Sequence, residues 1–128
     1  MQDPPSPREI LGAVAAFLRN TVILNGDPHT AFQARVAANA LDLVSRQLEL
    51  GAAGEAAEVQ RLQALLGRAG TLAELNTALA DALASGAMGL ATRGVSEHLR
   101  APTLEKLQVD QPNNSGYLTA LKSPLKDA

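Results

Sequence analysis

Between Thr30 and Gly51 the chain places Phe32, Val36, Ala40, Leu43, Val44 and Leu48 three or four residues apart, with Ala37 and Leu41 widening the stripe. That spacing is the period of an α-helix and does not fit the two-residue alternation of a strand. The same period recurs in Ile10, Leu11, Val14, Phe17, Leu18 and Val22, and again in Val59, Leu62, Leu65 and Leu66. It returns in Leu72, Leu75, Leu79, Ala82 and Leu83. No stretch reads as a strand and no internal repeat is evident. The pattern predicts an all-α fold, a compact bundle of about five helices with the long second helix at its centre.

Local signals set the expected boundaries. Ser6-Pro7-Arg8-Glu9 combines a cap, a proline at the first helical position and a glutamate that closes a capping box. The first helix should end in the turn cluster Asn25-Gly26-Asp27-Pro28. Thr30 with Gln33 suggests the cap of the second helix, which should close near Gly51. A third helix is expected from about Glu55 to Leu66, stopping at Gly67 and Gly70. Thr71-Leu72-Ala73-Glu74 opens a fourth, ending at Gly86. Gly86, Gly89 and Gly94 mark a loop. A last helix over about 95–109 contains Pro102, which removes a backbone donor and predicts a kink or a split near that residue. Residues 1–112 thus read as a single helical domain. Residues 113–128 read as a C-terminal tail, extended or docked on a partner surface through Tyr117, Leu118, Leu121 and Leu125.

Composition narrows the function classes. With 128 residues the chain suffices for one domain. There is no cysteine, which excludes a disulfide framework, a thiolate nucleophile and a Cys-ligated zinc site. The net charge of -2, with acids and bases interleaved, offers no basic stripe for a phosphate backbone, so no nucleic-acid partner is expected. The run from Ile10 to Leu24 is interrupted by Arg19 and Asn20 and is too short to span a bilayer. The beginning MQDPPSP lacks the basic segment of a secretion signal. A cytoplasmic protein with no membrane partner is the expectation. Aromatics make up only 2% of the chain, so the core must be built from Leu, Val and Ala, whose small members let helices approach closely.

The candidate site lies on the second helix. At 100° per residue, Asn39 falls on the stripe of Phe32, Val36 and Leu43, and Arg35, Asp42 and Arg46 crowd the same edge. A buried amide must find partners, because leaving it unpaired costs about 1–3 kcal/mol. One reading is a fastener that sets helix register; the other is a small anion or carboxylate site built from Arg35, Asn39 and Arg46, with Asp42 at its rim. Buried polar groups commonly specify packing, which favours the fastener. Asn76, among Leu72, Leu79 and Leu83, repeats the theme. His29 and His98 make no paired ligand pattern with Glu97 or Glu105, so no metal or other cofactor is expected. His98 reads as a solvated or capping residue. No nucleophile, base and oxyanion set can be named, and the glycines spell no phosphate loop.

The segment FQARVAANALDLVSRQLELG, Phe32 to Gly51, resembles the signature of a family of small bacterial proteins of unknown function. LAELNTAL around Asn76, HLR at His98 to Arg100 and LQVDQP from Leu107 to Pro112 extend the resemblance over about the first 112 residues. Gln47, where a glutamate would be expected, and Pro102 depart from it. The resemblance implies proteins encoded beside aminoglycoside-phosphotransferase-like kinases and acyl-CoA dehydrogenases, and hence an accessory role near such enzymes. It carries over no catalytic residues. The expected function is a non-catalytic helical module that binds a partner protein or a second copy of itself. The alternative is a binder of small anionic or acyl ligands through the Arg35, Asn39 and Arg46 edge.

Overall fold

The computed structural model describes residues 3–123. Among them every regular element is helical, and no strand is present. The elements are α1 (Pro7–Phe17), which continues through a π-helical turn (Leu18–Val22) into a short α segment (Ile23–Asn25), then α2 (Pro28–Leu66), α3 (Leu72–Ala84), α4 (Val95–Asp110) and α5 (Ser115–Lys122). The chain divides into two compact units, 1–51 and 52–128, and α2 contributes to both.

The caps follow from side-chain chemistry. Ser6 and Glu9 exchange hydrogen bonds, Glu9 N donating to Ser6 Oγ at 3.3 Å and Ser6 N to Glu9 Oε2 at 2.6 Å. Thr71 and Glu74 form the same reciprocal box. At the start of α2 the cap is Asp27 rather than Thr30: Thr30 N donates to Asp27 Oδ1 at 2.8 Å, and Pro28 takes the first helical position. The shorter carboxylate three residues upstream reaches the free N–H groups that Thr30, already inside the helix, cannot.

In the first unit, α1 and α2 run antiparallel, tied by Arg8 to Glu49 at 3.0 Å and by Arg19 to Asp42 at 2.6 Å. The buried positions are small: Ala15, Ala34 and Ala38. Ala31, Leu41 and Ser45 complete this second stripe on α2, also at helical spacing and half-buried. The bulky stripe of Phe32, Val36, Leu43, Val44 and Leu48 faces solvent instead. Two helices joined by a two-residue turn pack most closely through small side chains, and here alanines form the contact while the large residues remain outside.

The second unit has a conventional core of Leu62, Leu75 and Leu79, surrounded by Val59, Leu65, Leu66, Leu72, Leu83 and Met88. Gly67 ends α2 with φ 65°, the left-handed conformation that only glycine adopts without cost, and its N–H donates to Gln63 O at 2.9 Å. Val95, Val109 and Tyr117 are buried as well.

Three boundaries differ from the sequence expectation. α2 does not stop near Gly51 but passes through Gly51 and Gly54 to Leu66, absorbing the separate helix expected from Glu55. Glycine disfavours a helix interior by only about 1 kcal/mol, and flanking alanines and leucines carry the helix through. Nor does α4 split at Pro102: it runs unbroken from Val95 to Asp110, at the cost of the one bond that the proline nitrogen cannot donate. Ser115–Lys122, expected as part of a tail extended or docked on a partner surface, forms a helix capped by Asn114, whose Oδ1 accepts from Tyr117 N at 3.0 Å. Arg100 on α4 donates to the carbonyls of Ala120 and Ser123, placing a cation at the carbonyl end of α5. Leu125, the last apolar residue of the expected tail, lies outside the described residues.

Candidate functional site

The candidate residues of the second helix sit in the first unit, around a partner that the sequence pattern did not supply. Arg19 projects from the π-helical turn of α1, where one extra residue per turn shifts the side-chain register. Its guanidinium grips the Asp42 carboxylate with both arms, Nη1 to Oδ1 at 3.2 Å and Nη2 to Oδ2 at 2.6 Å. Nη2 also donates to Asn39 Oδ1 at 3.1 Å. The Arg19 hydrogen bonds hold the Asp42 carboxyl below its ordinary range, with a further contribution from the Arg46 charge. Asn39 is therefore exposed and not a core amide, a correction to its expected burial. The reason is the choice of stripe: packing through Ala34 and Ala38 turns Asn39 toward the flank of the interface. Arg46 is half-buried on the same flank, and Arg35 is exposed at its edge. Asp42 and Asn39 thus gather about Arg19, with the Arg46 charge acting on Asp42, whereas Asn76 belongs to the second unit.

There, Asn76 Nδ2 on α3 donates to Glu58 Oε1 on α2 at 3.4 Å. A stronger fork joins α2 to α4, with Arg61 Nη1 to Glu105 Oε1 at 3.0 Å and Nη2 to Oε2 at 2.9 Å. His98, two turns before Glu105 on α4, is buried at 4% exposure, against the expectation of a solvated or capping residue. Burial pushes its pKa down, and the Arg61 charge does the same, while Glu58 and Glu105 oppose them. Both buried, His98 Nδ1 and Arg61 Nε find no hydrogen-bond partner among the described residues. A shallow groove of about 430 Å³ on the second unit is lined by Arg68, Ala73, Glu74, Thr77, Ala78 and Asp81.

Sequence reasoning missed Arg19 and Arg61, and it placed His98 in solvent or at a cap instead of in the interior. Arg19 could have been found, because it is a lone cation breaking the apolar run from Ile10 to Leu24. Arg61 and Glu105 are 44 residues apart, and no local pattern joins them. Chemically, both clusters offer forked guanidinium–carboxylate contacts that lock one helix to another. Among the described residues no three His, Asp or Glu side chains converge in a way that could hold a metal ion, and no helix is long and apolar enough to cross a membrane.

No curated protein and no solved structure matches the chain. A family model does, over residues 25–114, which takes in all of α2, α3 and α4 together with the Asn114 cap of α5. With that span covering well over half of its length, the chain belongs to a family described as a domain of unknown function, DUF6285.

Proposed function

We propose that this protein is a non-catalytic helical accessory module of bacterial origin that binds a partner protein in the cytoplasm. The observation that carries this reading is the outer face of α1. Ile10, Val14 and Phe17 follow one another at helical spacing and are exposed, Phe17 at 57%, with Leu24 at 74% beyond the π-helical turn. Large apolar side chains presented in a row at a protein surface mark interaction sites. The polar clusters support the same reading, since the guanidinium groups of Arg19 and Arg61 are already engaged by carboxylates of the chain itself.

The partner class comes from the family resemblance: a phosphotransferase-like kinase or an acyl-CoA-processing dehydrogenase encoded nearby. The test is co-expression of the full chain with each enzyme, followed by affinity measurement. Binding to one of them that is lost in Phe17→Glu and Leu24→Glu, with helicity retained, supports the proposal. Failure to bind either, at concentrations where both components are folded, overturns it.

A further inference from the structure

The outer face of α2 carries a second apolar surface, distinct from that of α1. Phe32, Gln33, Val36, Ala37, Ala40, Leu43, Val44, Gln47 and Leu48 are all exposed. At 100° per residue they occupy one continuous arc, on the opposite side of the helix from Ala34 and Ala38. No charged residue falls on this arc; Arg35, Asp42 and Arg46 lie off it. An uncharged stripe demands no complementary charge from its occupant.

Its residue order is self-complementary. Ala40 is central, and antiparallel pairing about it sets Phe32 against Leu48, Val36 against Val44, Ala37 against Leu43 and Gln33 against Gln47. The bulky residues thus meet each other at the ends and the smallest side chain lies in the middle, where two crossing helices come closest. The only two polar residues on the stripe also meet, and a glutamine amide both donates and accepts. The exposed fractions of Phe32, Val36, Leu43, Val44 and Leu48, from 37% to 61%, are high for such residues. With the flanking alanines they amount to on the order of 500 Å² of apolar surface, and a standard interface buries roughly 800 Å² per partner. About two-thirds of that area is apolar when the partners are identical, so the stripe supplies what such an interface needs.

We propose that α2 packs antiparallel against α2 of a second copy of this chain, about a two-fold axis passing through Ala40. Such an isologous contact closes on itself and stops at a dimer. It concerns a different helix face from the partner-binding proposal and stands or falls separately.

The full chain tests it by light scattering and by cross-linking. The expected result is twice the chain mass at micromolar concentration, reduced to a monomer with unchanged helicity in the Val36→Glu, Val44→Glu double variant. Because the chain has no cysteine, Ala40→Cys supplies a single thiol on the axis. It should form an interchain disulfide under mild oxidation, whereas Arg35→Cys, off the stripe, should not. If the glutamate variant fails to fold, the two cysteine variants still decide. A monomer at every concentration overturns the proposal, as does a dimer that Ala40→Cys does not cross-link. A monomer in which the thiol of the Ala40→Cys variant resists alkylation means the stripe is covered from within the chain, which also overturns it. Phe17→Glu and Leu24→Glu should leave the dimer intact.

Discussion

At the scale of single residues, the two ion-paired clusters differ in what they contribute. The side chains of Arg19 and Asp42 are 39% and 40% exposed, so water screens the pair and Arg19→Ala should barely move the urea midpoint. Arg61 and Glu105 are more covered and fully forked, and Arg61→Ala leaves a half-buried carboxylate unpaired. Its expected cost is larger, about 1–3 kcal/mol. His98 links stability to pH. Burial lowers its folded-state pKa, so below the ordinary value of about 6.5 the unfolded chain binds more protons. The stability that neutral His98 contributes is complete above that value and is lost as pH falls toward the folded-state pKa. Melting temperature should therefore drop between pH 7.5 and 5.5 (about the window in which an ordinary histidine titrates), and His98→Phe should flatten that slope. An unchanged slope in the variant would remove His98 from the account.

At the scale of elements, helix type, period and capping boxes were legible because they are local: Ser6 with Glu9 and Thr71 with Glu74 need only four residues of context. What could not be read was which of two stripes on α2 would pack. Bulk favours Phe32, Val36 and Leu43 for the interior, but contact with α1 in a tight antiparallel pair depends on closeness, which Ala34 and Ala38 provide. The second half of α2 had no such competition, and Leu62 lies at the centre of its core as its spacing predicts. The Asn39 cluster was legible as a group of residues but not as a geometry, because its organiser, Arg19, comes from another helix. The stripe choice has a testable consequence: Ala38→Leu should cost about 1–3 kcal/mol by overpacking. Val36→Ala on the same helix should cost far less in the monomer. Leu62→Ala, which empties a fully buried site, should cost about 2–5 kcal/mol. Urea titrations of the three variants give the ranking directly.

For the whole molecule, the capping carboxylates act together under acid. Hydrogen bonds from Ser6, Thr30 and Thr71 hold Glu9, Asp27 and Glu74 below their ordinary pKa values, and Arg19 does so for Asp42. Their contribution is present above the unfolded-state values near 4 and is lost as pH falls below them, a second acid limb separate from that of His98. The family match begins at Asn25 and runs across the boundary between the two units, so α2 is the element they have in common. That boundary lies at Gly51, with Gly54 three residues on, inside an otherwise well-formed helix. A Cβ at Gly51 would meet only the flexible amide of Gln47, and one at Gly54 would find only Glu105 Oε2, at 4.0 Å. Neither glycine is needed for room, so their effect is on cooperativity. Backbone opening that starts in one unit meets two residues there with the weakest hold on helical conformation, and it can halt before reaching the other. Amide exchange should accordingly resolve two protection levels along a single helix, one for each side of the seam, and Gly51→Ala with Gly54→Ala should merge them into one.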